Sequence, residues 1–237
     1  MRLKIFPWLG QQFVSLSWEG SGAGSVEDEI RQLLALYAGR LQTLGLSLDN
    51  TVRTRLWCRD MATWEAGALE RARVLSGQAR STSSSHIRPE RLGASARVGI
   101  DLLAMFPPAG GERKQLREYE PHLLTQPNQW VVLRSLTWGG LVFLSGQTDM
   151  STPTLDGQFP IIFEKLGDSL KDAGVAWENV ERASFFLHRD ETVDRMRGLF
   201  RRATGAAIPS TDYTFVDYRQ GKRVEIELTA RLGGVAS

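Results

Sequence analysis

The sequence predicts an α+β protein built from two tandem halves, each an α/β sandwich in which a mixed sheet carries two helices on one face. Three observations lead there. First, the chain repeats itself. Leu41–Asn50 matches Leu170–Asn179 with Gly45 over Gly174 and Asn50 over Asn179, Phe13–Leu16 lies over Leu141–Leu144, and Arg59-Asp60 lies over Arg189-Asp190, all in the same order. Second, each half runs strand, helix, strand, helix, strand, strand, an order that closes as a mixed sheet with both helices on one side. Third, 237 residues with 42% hydrophobic and 24% charged composition suffice to bury the cores of one large domain or two ordinary ones.

The elements follow in order. An alternating strand opens each half, at Phe13–Trp18 and Gly140–Ser145. In the first helix Ile30, Leu33, Leu34, Tyr37, Leu41 and Leu44 recur every three or four residues. Ser25 stands at its N-cap, Glu27, Asp28 and Glu29 favour its first turn, and Gly45 ends it. Phe163, Leu166, Leu170 and Ala173 repeat the pattern, closed by Gly174. Strands at Thr51–Cys58 and Val180–Leu187 precede helices at Met61–Leu75 and Glu191–Ala203. Two closing strands end each half, Ser81–Ile87 with Ala96–Phe106, and Ser210–Tyr218 with Arg223–Leu232. Pro107–Gln129 is rich in Pro, Gly and charge and reads as a linker with a helical patch. The expected domains are residues 1–106 and 128–237, joined by a linker over 107–127.

Composition bounds the function. Basic and acidic residues nearly balance, 29 against 27, and no Lys/Arg block marks a nucleic-acid tail. No apolar run approaches the roughly 18 residues of a membrane span, and the start Met1-Arg2-Leu3-Lys4 leads into an alternating segment without a continuous apolar stretch. The lone cysteine, Cys58, has no internal disulfide partner. A cytoplasmic protein without nucleic-acid or membrane partners is expected.

The second half resembles the RidA/YjgF family, also called L-PSP endoribonuclease-like proteins. The resemblance rests on Gly140-Leu141-Val142-Phe143-Leu144-Ser145-Gly146-Gln147, on Asn179–Leu187 and on Val224-Glu225-Ile226-Glu227-Leu228-Thr229-Ala230. The first half keeps Asn50–Asp60 and Ala79-Arg80-Ser81-Thr82. The resemblance implies a chorismate-mutase-like (RidA-type) sandwich, assembly as a homo-oligomer, a trimer by family habit, and hydrolysis of enamine or imine intermediates to 2-oxo acids without metal or organic cofactor. A guanidinium would hold the substrate carboxylate while a carboxylate manages protons.

Carried over by position, the resemblance implies Arg80 as the carboxylate-binding arginine, with Ser81 beside it, and Glu225 as the water-positioning glutamate. In the second half Pro209 stands at the arginine's place, and in the first half Gly99 stands at the glutamate's, with Asp101 at the second acidic position. Neither half therefore holds a full set. Three readings follow: a composite site with Arg80 and Glu225 as catalytic residues; loss of hydrolysis with retained binding of a small carboxylate metabolite; and a hydrolase similar to the chorismatases, which are built from similar tandem domains on longer chains. Asp212 and Tyr213, with Asp217 and Tyr218, are candidates for a replacement polar pocket that binds substrate.

Other residues invite chemistry and are read as structural. His86, His122 and His188 lack metal-ligand spacing, so no metal is expected. Cys58 alternates within a strand beside Trp57 and reads as a core thiol. His86, which ends the strand after Arg80, could line a first-half cleft. No glycine pattern sits in the context of a nucleotide site. The tryptophans lie mostly where packing accounts for them, so the ribonuclease label carried by the family gains no support.

Overall fold

The computed structural model describes residues 1–119, 133–205, 210–217 and 221–233. The fold is α+β, and the chain divides into two compact units, Met1–Gly139 and Gly140–Ser237. This division falls after residues 107–127, the segment expected as a linker.

In the first unit a five-stranded sheet runs in the order β1-β2-β5-β3-β4, with β1 Arg2–Trp8, β2 Gln11–Glu19, β3 Thr51–Cys58, β4 Thr82–Ile87 and β5 Val98–Met105. Strands β3 and β4 pair in parallel and the other neighbours antiparallel, so the sheet is mixed. Helices α1, Val26–Gln42, and α2, Met61–Val74, pack on one face over Val14, Leu16, Leu56, Cys58, Ile100 and Leu102. Ser25 caps α1 as its sequence implied: its hydroxyl accepts from Asp28 N at 3.1 Å and the Asp28 carboxylate accepts from Ser25 N at 2.9 Å, a reciprocal cap worth about 1 kcal/mol.

Three strands of this unit were not expected, β1, Gln115–Glu118 and Leu133–Trp138. The edge strand β1 escapes periodicity because its apolar Leu3 and Ile5 are exposed and its sequence carries Pro7, which reads against a strand. Within the expected linker, Gln115–Glu118 forms β6, pairing antiparallel with β7, Leu133–Trp138, and residues 120–129, the rest of the segment read as a linker with a helical patch, lie outside the described residues. Lys114, just before β6, is buried and donates to Thr51 O at 2.8 Å and Arg80 O at 3.1 Å. These bonds and that pairing hold Lys114 and β6 against the first unit.

The second unit repeats the plan with β8 Leu141–Leu144, β9 Gln147–Thr148, α3 Leu155–Asp172, β10 Val180–His188, α4 Val193–Thr204, β11 Ser210–Val216 and β12 Val224–Arg231. Its strands run β11-β10-β12-β8, with β9 on the same edge of β12. Leu166, Leu170, Phe185, Met196, Phe200, Ile226 and Leu228 fill the space under the helices. Phe185 meets Phe200 edge-on at 5.0 Å and stacks on Tyr213 at 4.9 Å. Helix α4 starts two residues later than periodicity alone implied, because Thr192 is its cap, and Gly205 ends it at φ 60.

The repeat anchors have structural causes. Asn50 and Asn179 each accept from the backbone N–H three residues earlier, at Ser47 and Ala176, closing a short 3₁₀ turn that feeds β3 or β10. A register shift then follows at the same place in both, between Thr51 and Arg53 and between Val180 and Arg182. No helix among the described residues is long and apolar enough to cross a membrane.

Candidate functional site

Strand β12 alternates: Val224, Ile226, Leu228 and Ala230 face the helices, so Glu225, Glu227 and Thr229 face the other way. Carboxylates on such a face are ordinarily solvated. Here Glu225 is 4% exposed and Glu227 1%. Burying a charge without a partner costs several kcal/mol, and Glu225 has a partner: Lys222, itself buried, places Nζ 2.5 Å from Oε2. Across the sheet, Phe186 lies opposite Glu225 and Ser184 opposite Glu227.

The room for the Glu225 carboxylate comes from an irregularity. Thr229 pairs with Phe143, and Ile226 pairs with Gln147. Three steps along β12 thus match four on the neighbouring segment, leaving one extra residue between Phe143 and Gln147. This is a β-bulge, which bends the strand and re-aims side chains. Gly146 sits inside it. A Cβ built there would fall 2.7 Å from Cδ of Glu225 and closer still to Oε1, so only glycine leaves the carboxylate its place. Beyond the bulge, Thr148 Oγ1 donates to Val224 O at 2.9 Å. Asp149 accepts from Ser151 N and Oγ at 2.8 and 2.7 Å, while Lys165 lies 3.6 Å away. Burial pushes the Asp149 carboxyl up, but the Ser151 bonds and Lys165 outweigh it and hold the group below its ordinary range.

The first unit lacks this arrangement. Strands β2 and β5 pair in unbroken register from Phe13 with Met105 to Glu19 with Gly99. Gly99 lies opposite Trp57 as Glu225 lies opposite Phe186, and Leu92 Cδ2 approaches to 3.1 Å of where a side chain would begin. Asp101, the counterpart of Glu227, accepts from Trp57 Nε1 at 2.7 Å and from Arg91 at 2.5 Å, with the Arg91 guanidinium 4.5 Å over the Trp57 ring. The corresponding space is filled by the unit's own side chains.

The remaining expected residues are placed as follows. Arg80 precedes β4 in the first unit and forms an ion pair through Nη1 with Glu118 Oε1 of β6. Ser81 Oγ lies 3.5 Å from Thr54 Oγ1. Asp212 accepts from Ser184 Oγ at 2.7 Å and Arg182 Nε at 3.0 Å. Tyr213, its neighbour on β11, turns to the opposite face and stacks on Phe185, so the two do not share one pocket. Pro209, Tyr218 and His122 lie outside the described residues. Cys58 is fully buried in the first core, and burial pushes its thiol far up. His86 is also fully buried, 3.0 Å from Ser84 Oγ. Among the described residues no group of three or more His, Cys, Asp or Glu could hold a metal ion.

Sequence reasoning missed Lys222 and the bulge. Lys222 lies three residues before Glu225, just ahead of β12, where strand periodicity is silent. The Ser145-Gly146 pair was visible as a motif, but nothing local says which side chain needs the missing Cβ.

No family model matches the chain, and no curated protein matches it. Among solved structures, a chorismatase superposes with a TM-score of 0.59 at 18% identity, over 92% of this chain and 74% of its own. A YjgF/YER057c/UK114 family member from Mycobacterium tuberculosis matches with a TM-score of 0.41 at 21% identity, over 50% of this chain and 98% of its own. A YjgF family member from Neisseria meningitidis gives 0.41 at 21%, over 52% and 97%. The chorismatase likeness shows a shared fold across nearly the whole chain.

Proposed function

We propose that this chain, which shares its fold with a chorismatase, hydrolyses an enol ether or enamine of a small 2-oxo acid, with Glu225 as the proton donor. The observation that carries this reading is the buried Glu225 carboxylate, seated in the Gly146 bulge beside Lys222.

Enol ethers and enamines hydrolyse by one route. A carboxylic acid gives its proton to the terminal carbon of the C=C bond, and the C=C electron pair forms the new C–H bond. The adjacent carbon becomes an oxocarbenium or iminium ion. Water adds there, losing a proton to the carboxylate, and the tetrahedral adduct expels an alcohol or amine to leave the 2-oxo acid. Water is the only co-reactant. A carboxyl shielded from bulk solvent suits the first step, since burial favours its neutral form, and positioned acids of this kind contribute about 10²- to 10⁴-fold.

The reading assigns Arg80 a different part. Its guanidinium is already matched to the Glu118 carboxylate, so it serves as an ion pair of the first unit. The test offers the purified chain two substrates: chorismate, an enolpyruvyl ether, and 2-imino acids made by an amino-acid oxidase in semicarbazide. Pyruvate or faster loss of imine is followed for wild type, Glu225→Gln and Arg80→Ala. Turnover of either substrate that Glu225→Gln removes and Arg80→Ala keeps is the expected result. Absence of turnover of both substrates overturns the reading, and loss in Arg80→Ala as well restores the composite site.

A further inference from the structure

We propose that Lys222 is the anchor for the substrate carboxylate, and that it passes from Glu225 to the ligand on binding, so that the substrate itself prepares the acid. This rests on the reading of Glu225 as proton donor.

The resting geometry poses a conflict that the handover resolves. An ammonium 2.5 Å from a carboxylate, with both groups buried, favours the ionised carboxylate. A proton donor must be neutral. Glu227 shares the face two residues along and Asp212 lies on the next strand but one, so the surroundings are already acidic. An anionic ligand entering beside these groups needs a cation. Among the described residues, Arg182 holds Asp212, Lys165 lies by Asp149 and donates to Thr148 O, and Arg223 donates to Pro153 O and reaches Asp190, each cation with a protein carboxylate or carbonyl of its own.

Lys222 is suited to exchange partners. It is a compact charge on a flexible stem, with three donors that can be redirected without the planar matching an arginine requires. When its ammonium turns to the ligand's carboxylate, Glu225 keeps its buried place in the bulge but loses the positive charge beside Oε2. Glu225 takes up a proton from solvent, and the acid forms only when there is a substrate to receive it.

The test uses pyruvate, the simplest 2-oxo acid, titrated calorimetrically into the full chain at neutral pH in two buffers of different ionisation enthalpy. Wild type is expected to bind pyruvate with uptake of a proton. Glu225→Gln should bind it more tightly, since no internal carboxylate competes, and without proton uptake. Lys222→Gln should bind about 10- to 100-fold more weakly, while Lys222→Arg retains most of the affinity.

Wild-type binding without proton uptake, or weaker binding by Glu225→Gln, overturns the handover even if Lys222→Gln fails to fold. Lys222→Gln binding as wild type does, alongside Glu225-dependent turnover, overturns the anchor and leaves the acid standing. Failure of wild type and Glu225→Gln to bind pyruvate, with no turnover, overturns both readings.

Discussion

Gly146 and Glu225 compete for one space: the carboxylate lies where the side chain of any other residue at 146 would begin. Gly146→Ala is therefore expected to push Glu225 out of the bulge. Turnover of the enol ether or imine should fall by about 10²-fold, to the level of Glu225→Gln. The fold should survive, since the clash is with the end of a flexible side chain, at a cost of about 1–3 kcal/mol. Steady-state rates beside thermal melts separate the two effects, and full activity in Gly146→Ala would contradict the assignment.

Arg80 and Glu118 form an ion pair in which the glutamate is 52% exposed. Water and salt screen such a pair, so Arg80→Ala should cost no more than about 1 kcal/mol. Urea unfolding gives this value, and the loss should shrink as salt is added.

Lys114 gives the first unit a pH dependence. Burial lowers its pKa from 10.5 to about 8, with Asp49 opposing. Between those values the unfolded chain keeps the proton and the folded chain has released it, so this residue's contribution to stability rises with pH from about 8 to about 10.5. Below about 8 both states are protonated and the burial penalty stands in full. The rise is about 3 kcal/mol at most. Comparing urea unfolding of wild type and Lys114→Met across this window should show the rise in wild type alone.

Cys58 is fully buried and its thiol is pushed up by that burial. A thiol-modifying reagent is expected to leave it untouched in the folded chain and to react fully in denaturant. Rapid labelling under native conditions would contradict the packing of the first core.

Much of this architecture could be read from local pattern. Thr51–Cys58 emerged with both ends in place, because a half-turn at Asn50 and a cap at Asp60 punctuate it. Ser25 announced α1 through a contact only three residues long. Strand β1 was missed because an edge strand has no need of a buried face along its length, and β6 because four residues between charges carry no period.

The site divides in the same way. Period-two alternation puts Glu225 and Glu227 together on the face away from the helices, and the repeat exposes Gly99 as the odd counterpart of Glu225. Alternation alone would have both glutamates in water. Their burial, the one-residue bulge that makes room beside Gly146, and the Glu118 partner of Arg80 depend on residues far apart in the chain. The sequence by itself determined the repeat, the elements, the caps and the acidic face, because each arises from interactions within a few residues. Tertiary structure alone decided which carboxylate is enclosed and which cation meets it, because burial and register are set by strands that meet only once the chain has folded.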